Sequence, residues 1–202
     1  MTRLPYVDPA RAPGEVGDTL QALPDLNLFR IVGHAETALR PWLMLGGALL
    51  SSLSLGPVLR ELVILQVATS TGSDYERVQH EAIAAGVGAS PQQVTAVVTG
   101  QLDSPALGEY EAILRVVDDL VRTHTTNSVG LDLLRQRVND RETVELLLVV
   151  GYYLGVALLA AAVDLDPDPP AQMAVIDAAT TTPREPRDPR AHHARAARGV
   201  PA

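Results

Sequence analysis

The 202-residue sequence contains no cysteine, and aromatic residues make up only 3% of it. It also has no lysine: all sixteen basic residues are arginine. Without thiols there is no disulfide, no cysteine nucleophile, no thiol-peroxidase cycle and no cysteine-ligated metal. Without a lysine amine there is no Schiff-base chemistry. Arginine stays protonated at ordinary pH and does not serve as a base. Proton chemistry therefore falls to histidine, aspartate, glutamate and tyrosine. Basic charge is scarce too. The net charge of −8 argues against a nucleic-acid partner, which calls for a basic footprint.

What the chain has in quantity is aliphatic residues. A hydrophobic content of 47% supports a substantial core packed by alanine, valine, leucine and isoleucine. The N-terminal stretch MTRLPYVDPARAPGEVGD lacks the apolar core of a signal peptide, so a cytoplasmic location is expected. The run Leu146 to Val163 is uncharged and reaches the lower edge of a membrane-span length. Its acidic flank and its Gly151/Gly155 pair fit a buried or interface helix better, and no membrane partner is expected.

No strand-like alternation appears, and the periodicity predicts an all-α bundle of seven or eight helices. Residues 1–24 carry four prolines and read as an extended arm. Residues 25–166 read as the helical domain, and residues 167–202, rich in proline, arginine and alanine, as a disordered tail. Within the domain, helices are expected over Leu28 to Leu39, from Pro41 to about Leu53, and from Pro57 to about Ser70, the last apolar around most of its circumference. Thr71-Gly72 breaks that helix and Ser73 opens the next. Further helices follow Ser90-Pro91, then Pro105 to about His124, Ser128 to Val138, and Arg141 to Val163. His124 is expected to cap a helix C-terminus.

The segment RELVILQVATSTGSDYERVQH, Arg60 to His80, carries the chemistry. Ser73, Glu76 and His80 are three and four residues apart and share one helix face. Glu61 lies on the preceding helix, which the turn folds back alongside. Two readings of this spacing stand. In the first, Ser73 and Glu76 form a capping box and His80 is a hydrogen-bonded core residue. In the second, a carboxylate orients His80 as a proton shuttle near neutral pH. Glu76 and His80 also have i, i+4 spacing suited to a metal, but a metal usually takes three or more convergent ligands. His34 and His124 lie on separate helices, so no metal is expected.

This segment, continued as EAIAAGVG, resembles the carboxymuconolactone decarboxylase and alkylhydroperoxidase AhpD-like family. LNLFRIVGHAETALRPWLMLGGALL resembles that family's N-terminal helix pair, and VELLLVVGYYLGVALLAAAVDLDPD its C-terminal helix with a Gly-aromatic-aromatic signature. The resemblance covers roughly residues 25–169. Redox-active members place a glutamate twelve residues before a first cysteine, a second cysteine three after it and a histidine seven after it. Glu61, Ser73, Glu76 and His80 occupy those places. Both thiol positions depart, so peroxide reduction through a disulfide is excluded.

The resemblance implies cofactor-independent lyase, isomerase or cyclase chemistry on a small enolisable or polyketide-like metabolite. His80 would be the general acid or base, Glu61 its orienting group, and Glu76 or Tyr75 the source of a second proton or hydrogen bond. Ser73 would remain at the substrate pocket as a cap where a nucleophile stood. It further implies a homo-oligomer, trimeric or hexameric. A pocket that acts without acid-base residues, and a non-catalytic oligomer, are the alternatives. Trp42, Tyr152 and Tyr153 read as core residues that a family-like pocket would include.

Overall fold

The computed structural model describes residues 2–125 and 128–171. Among them there are nine α-helices and no strand: α1 Gly14–Gln21, α2 Asn27–Val32, α3 Glu36–Ser51, α4 Pro57–Thr71, α5 Asp74–Gly86, α6 Pro91–Val98, α7 Glu111–Thr123, α8 Ser128–Arg137 and α9 Asp140–Val163. A 3₁₀ turn, Pro105–Tyr110, precedes α7.

Helix α4 is the axis of the bundle, with α5, α6, α7 and α9 packed around it. Every residue from Leu59 to Ala68 is buried, including Arg60, Glu61 and Gln66. A helix apolar on all sides has no solvent face, so its neighbours must surround it. Pro57 opens it at a first-turn position where no amide donor is needed. Gly72 closes it with φ of +69°, a left-handed conformation that glycine adopts without strain. That turn sends α5 back along α4, which brings Glu61 and His80 together.

Two apolar clusters make up the interior. The larger joins α4 to α6, α7 and α9 around Leu62, Ile64, Leu65, Leu114 and Leu146. The smaller joins α1, α2 and α3 to the other end of α9 through Leu20, Leu39, Tyr75 and Val156. Each fully buried aliphatic side chain contributes about 1.5–3 kcal/mol against exposure.

Several boundaries differ from the sequence reading. The expected extended arm contains α1, which buries Val16 and Leu20. The segment before it is tied down: the Val7 amide donates to the Arg30 carbonyl at 3.2 Å, and Arg30 Nε donates to the Val7 carbonyl at 3.0 Å. Its prolines are spaced so that Pro13 is an N-cap rather than a breaker. Pro41 lies inside α3, which starts at Glu36. The long helix expected from Pro105 is split, because Gly108 adopts φ +51° and ψ −122°. His124 does close α7, in a left-handed conformation. The acidic linker after α9 is held: Tyr6 donates to Asp166 at 3.0 Å, and Gln79 Nε2 donates to the Pro169 carbonyl at 2.7 Å. The rest of the expected tail, from residue 172, lies outside the described residues.

Candidate active site

Three buried side chains form a line from α4 to α5. Arg60 Nε donates to Glu61 Oε1 at 2.8 Å, and His80 Nδ1 lies 2.7 Å from Glu61 Oε2. The Glu61 side chain has no solvent exposure, and the other two have 4% and 7%. An ionised carboxylate is placed in an apolar interior only when a partner offsets its desolvation, and here a guanidinium and an imidazole do so. The carboxylate also fixes the imidazole tautomer. A proton on Nδ1 directed at Glu61 would leave Nε2 as the ring nitrogen able to accept one. Nε2 has no hydrogen-bond partner among the described residues. Tyr153 meets the His80 ring edge-on, with centroids 4.8 Å apart, and locks its plane.

His80 opens onto a cavity of about 190 Å³ between the two apolar clusters. Most of the wall is aliphatic or aromatic, from α2, α3, α5 and α9, with Trp42, Ile83, Tyr152 and Val156 among the residues. Trp42 and Tyr152 stack at 5.0 Å, and the Tyr152 hydroxyl donates to the Trp42 carbonyl at 3.3 Å. Gly46 makes room for that hydroxyl: a Cβ there would be 2.9 Å from Tyr152 Cζ.

Glu76 is the unusual polar group of this wall. It is 1% exposed, and among the described residues neither carboxyl oxygen has a hydrogen-bond partner. Burial pushes its pKa from 4.5 up to about 8, a rise only partly offset by the nearby Ser73 hydroxyl. That hydroxyl is itself buried without a partner, so the two groups are close but not joined by a well-formed bond. The expected capping box is therefore absent from α5: Ser73 is the N-cap residue, yet its side chain caps nothing. Burial keeps Glu76 from reaching back. A capping box does form at the start of α6, between Ser90 and Gln93.

The other candidates sort clearly. Tyr75 lines the cavity, but its hydroxyl donates to Asp168 Oδ2 at 2.7 Å. Burial and that carboxylate both push its pKa up, so it holds its proton. Ser73 is not among the cavity-lining residues, which corrects its expected place in the substrate pocket: the start of α5 turns it toward Glu76. Glu61 stands behind His80 rather than in the wall. Among the described residues no three His, Asp or Glu side chains converge as a metal site.

Arg60 and Gln79 escaped the sequence reading. Arg60 had a usable signal, since a charged residue within an all-apolar helix requires a partner. Gln79, which lines the cavity and binds the linker after α9, had none.

The architecture is thus an all-α bundle of AhpD type, with a buried carboxylate–imidazole pair opening onto an apolar cavity. Two solved structures share it. The AhpD core of an uncharacterized peroxidase-related protein from Ralstonia eutropha JMP134 superposes with a TM-score of 0.73 at 16% identity, over 90% of this chain and 97% of that one. An uncharacterized peroxidase-related protein from Silicibacter sp. TM1040 gives 0.71 at 19% identity, over 83% of this chain and 92% of that one. Residues 36–119 of this cysteine-free chain match the model of the Carboxymuconolactone decarboxylase family. No curated protein matches the sequence.

Proposed function

We propose that the protein is a cofactor-independent lyase, isomerase or cyclase that moves a proton on a small enolisable metabolite. The observation that carries this reading is the placement of His80. Its Nδ1 is committed to a buried carboxylate at 2.7 Å, while the ring lines a cavity. In the proposed step Nε2 takes a proton from the carbon beside a carbonyl. The C–H electron pair becomes a C=C bond, and the carbonyl π pair moves onto oxygen. Glu76, carrying its proton, donates a hydrogen bond to that oxygen. Where a second C=C bond is conjugated with the enol, oxygen's pair returns to the carbonyl, the π bonds shift and the far carbon takes the proton back from His80, which completes an isomerisation; departure of a leaving group or attack on a second carbon makes the same enol a lyase or cyclase intermediate. Glu61 stabilises the imidazolium formed in between.

The test is deuterium incorporation at the α-carbons of small cyclic ketones and lactones in D₂O, followed by NMR. Positioned general-base catalysis contributes about 10²–10⁴-fold, so His80→Ala should lose most of the acceleration and Glu61→Gln a large part of it. Exchange that is unchanged in His80→Ala would refute the proton role. Binding without exchange in the unmodified protein would instead favour a pocket that acts by confinement alone.

The same reading places the protein in the cytoplasm as a homo-oligomer. Helix α9 is long and apolar enough to cross a membrane by length and composition. Its inner face, however, packs along α4. Its outer face carries Val144, Leu148, Gly151, Gly155 and Leu158 at alternating spacings of four and three. The side chains there are exposed, Leu158 at 64%. Exposed Met44 and Leu45 extend the apolar surface onto α3, which packs on α9. An apolar ridge of this kind on a soluble domain supports association with further copies.

A further inference from the structure

We infer that the cavity takes an uncharged carbonyl compound of about one ring, seated with its carbonyl oxygen against the Glu76 carboxyl and its hydrocarbon body against the aliphatic wall. This names the substrate class of the proposed reaction site and rests on that reading of it. Three observations converge on it.

Size comes first. A dry cavity of about 150 Å³ admits benzene, whereas pockets for drug-sized ligands start at about 300 Å³. The space here, about 190 Å³, suits a single ring with small substituents. Charge comes second. Among the described residues no arginine lines the cavity, and its lining acid is a glutamate. Arg60 lies behind the wall and is directed at Glu61. Among the described residues a carboxylate or phosphate entering the space would meet no permanent cation, and the His80 imidazole is already paired with Glu61, so little offsets its desolvation and the cavity selects against acids of the same size.

Polarity comes third. The body of the wall is Leu28, Phe29, Leu43, Leu50, Ile83 and Val156, which rewards hydrocarbon. The two Glu76 oxygens lack any partner among the described residues, although buried polar atoms are nearly always satisfied. A ligand with one oxygen acceptor supplies what the carboxyl proton lacks. Glu76 is held protonated at neutral pH by burial, which makes it a donor. His80 lies one turn further along the same helix face, so the carbon next to the bound carbonyl comes under the imidazole.

The cavity contains its own reporter, because Trp42 is the only tryptophan and lines it. The full-length protein is titrated with cyclohexanone, cyclohexanecarboxylate and methylenecyclohexane, following Trp42 emission. These are a neutral carbonyl, an anion and an oxygen-free isostere of similar size. Cyclohexanone should bind saturably, and each of the other two about tenfold more weakly, the effect of one buried hydrogen bond or more. Glu76→Gln keeps a donor and should keep the preference for the ketone over the isostere. Glu76→Leu should abolish that preference.

A carboxylate that binds as tightly as the ketone overturns the inference. So does an unchanged preference in Glu76→Leu, or no response to any probe. The native-sequence comparison of ketone with isostere holds even if a variant fails to fold. The two readings fail separately. Selective ketone binding without α-proton exchange leaves this inference standing and removes the catalytic one. Exchange accompanied by preferential binding of the acid does the reverse.

Discussion

Glu76→Gln should make the protein more stable, and increasingly so as pH rises. Gln is nearly isosteric with Glu and cannot ionise, so the variant isolates the titration of one carboxyl. In the unfolded chain that carboxyl titrates near its ordinary value of 4.5, whereas in the fold burial holds the proton to about 8. Between these values the native state binds more protons than the unfolded one, so stability falls as pH rises through the window. Below 4.5 both states carry the proton and the effect vanishes; above 8 it is complete. At about 1.4 kcal/mol per pKa unit, the burden on the unmodified protein is about 1 kcal/mol at pH 5, about 3 at pH 7 and about 5 at pH 9. Relief of that burden is what the glutamine provides.

The assay is urea unfolding of both proteins at pH 5, 7 and 9, with the difference in unfolding free energy plotted against pH. All other groups titrate alike in the two proteins and cancel. The expected difference grows by about 4 kcal/mol from pH 5 to pH 9. A flat difference would show that Glu76 ionises normally, and with it would go the hydrogen-bond donor that the proposed chemistry needs.

Three further outcomes follow from the same geometry. Glu61→Ala removes the carboxylate between a buried guanidinium and a buried imidazole and should lower stability by about 3–5 kcal/mol; a loss under 1 kcal/mol in urea unfolding would show that the line of charges is not structural. Gly46→Ala drives a methyl group against Tyr152, which is stacked on Trp42, and should destabilise by about 1–3 kcal/mol while shifting Trp42 emission; an unshifted spectrum at native stability contradicts that packing. Leu148→Glu with Leu158→Glu puts two charges on the outer ridge of α9 and should reduce the mass measured by light scattering to that of one chain, 21.5 kDa; an unchanged larger mass places the interface elsewhere.

The helical class and most element positions were legible because they rest on local rules. Pro57 and Pro91 open helices, Gly72 ends one, and α4 announces its burial by being apolar all round. The Glu61–His80 contact was legible as well, since a tight turn between two helices leaves few ways to pack them. What escaped was tertiary. Helix α1 has few apolar residues and owes its place to packing against α3 and into the smaller apolar cluster, which no window of sequence contains. Ser73 and Glu76 match a capping box by type and spacing, but the box needs a carboxylate free to swing back to the N-cap, and burial denies it that freedom. The commitment of Tyr75 to Asp168, 93 residues away, had no local trace.

The charge that the first turn of α5 can hold is set by two opposing effects. A helix N-terminus favours negative charge by about 0.3–1 kcal/mol, reaching ~2 in partly buried geometry. A thiol there would be pulled toward thiolate. Glu76 stands in that same first turn of α5, yet its pKa rises from 4.5 to about 8, an effect of about 5 kcal/mol against the charged form. Desolvation therefore outweighs the helix terminus. Arg60, the strong cation of the site, is turned to Glu61 and offsets none of it. The first turn of α5 thus holds a neutral acid, on the same helix as an imidazole whose Nδ1 is engaged by Glu61. A thiol pair carries electrons, whereas a neutral acid and an oriented base carry protons. Ser73 and Glu76 thus fit the proposed proton chemistry and offer none of the electron chemistry of a thiol pair.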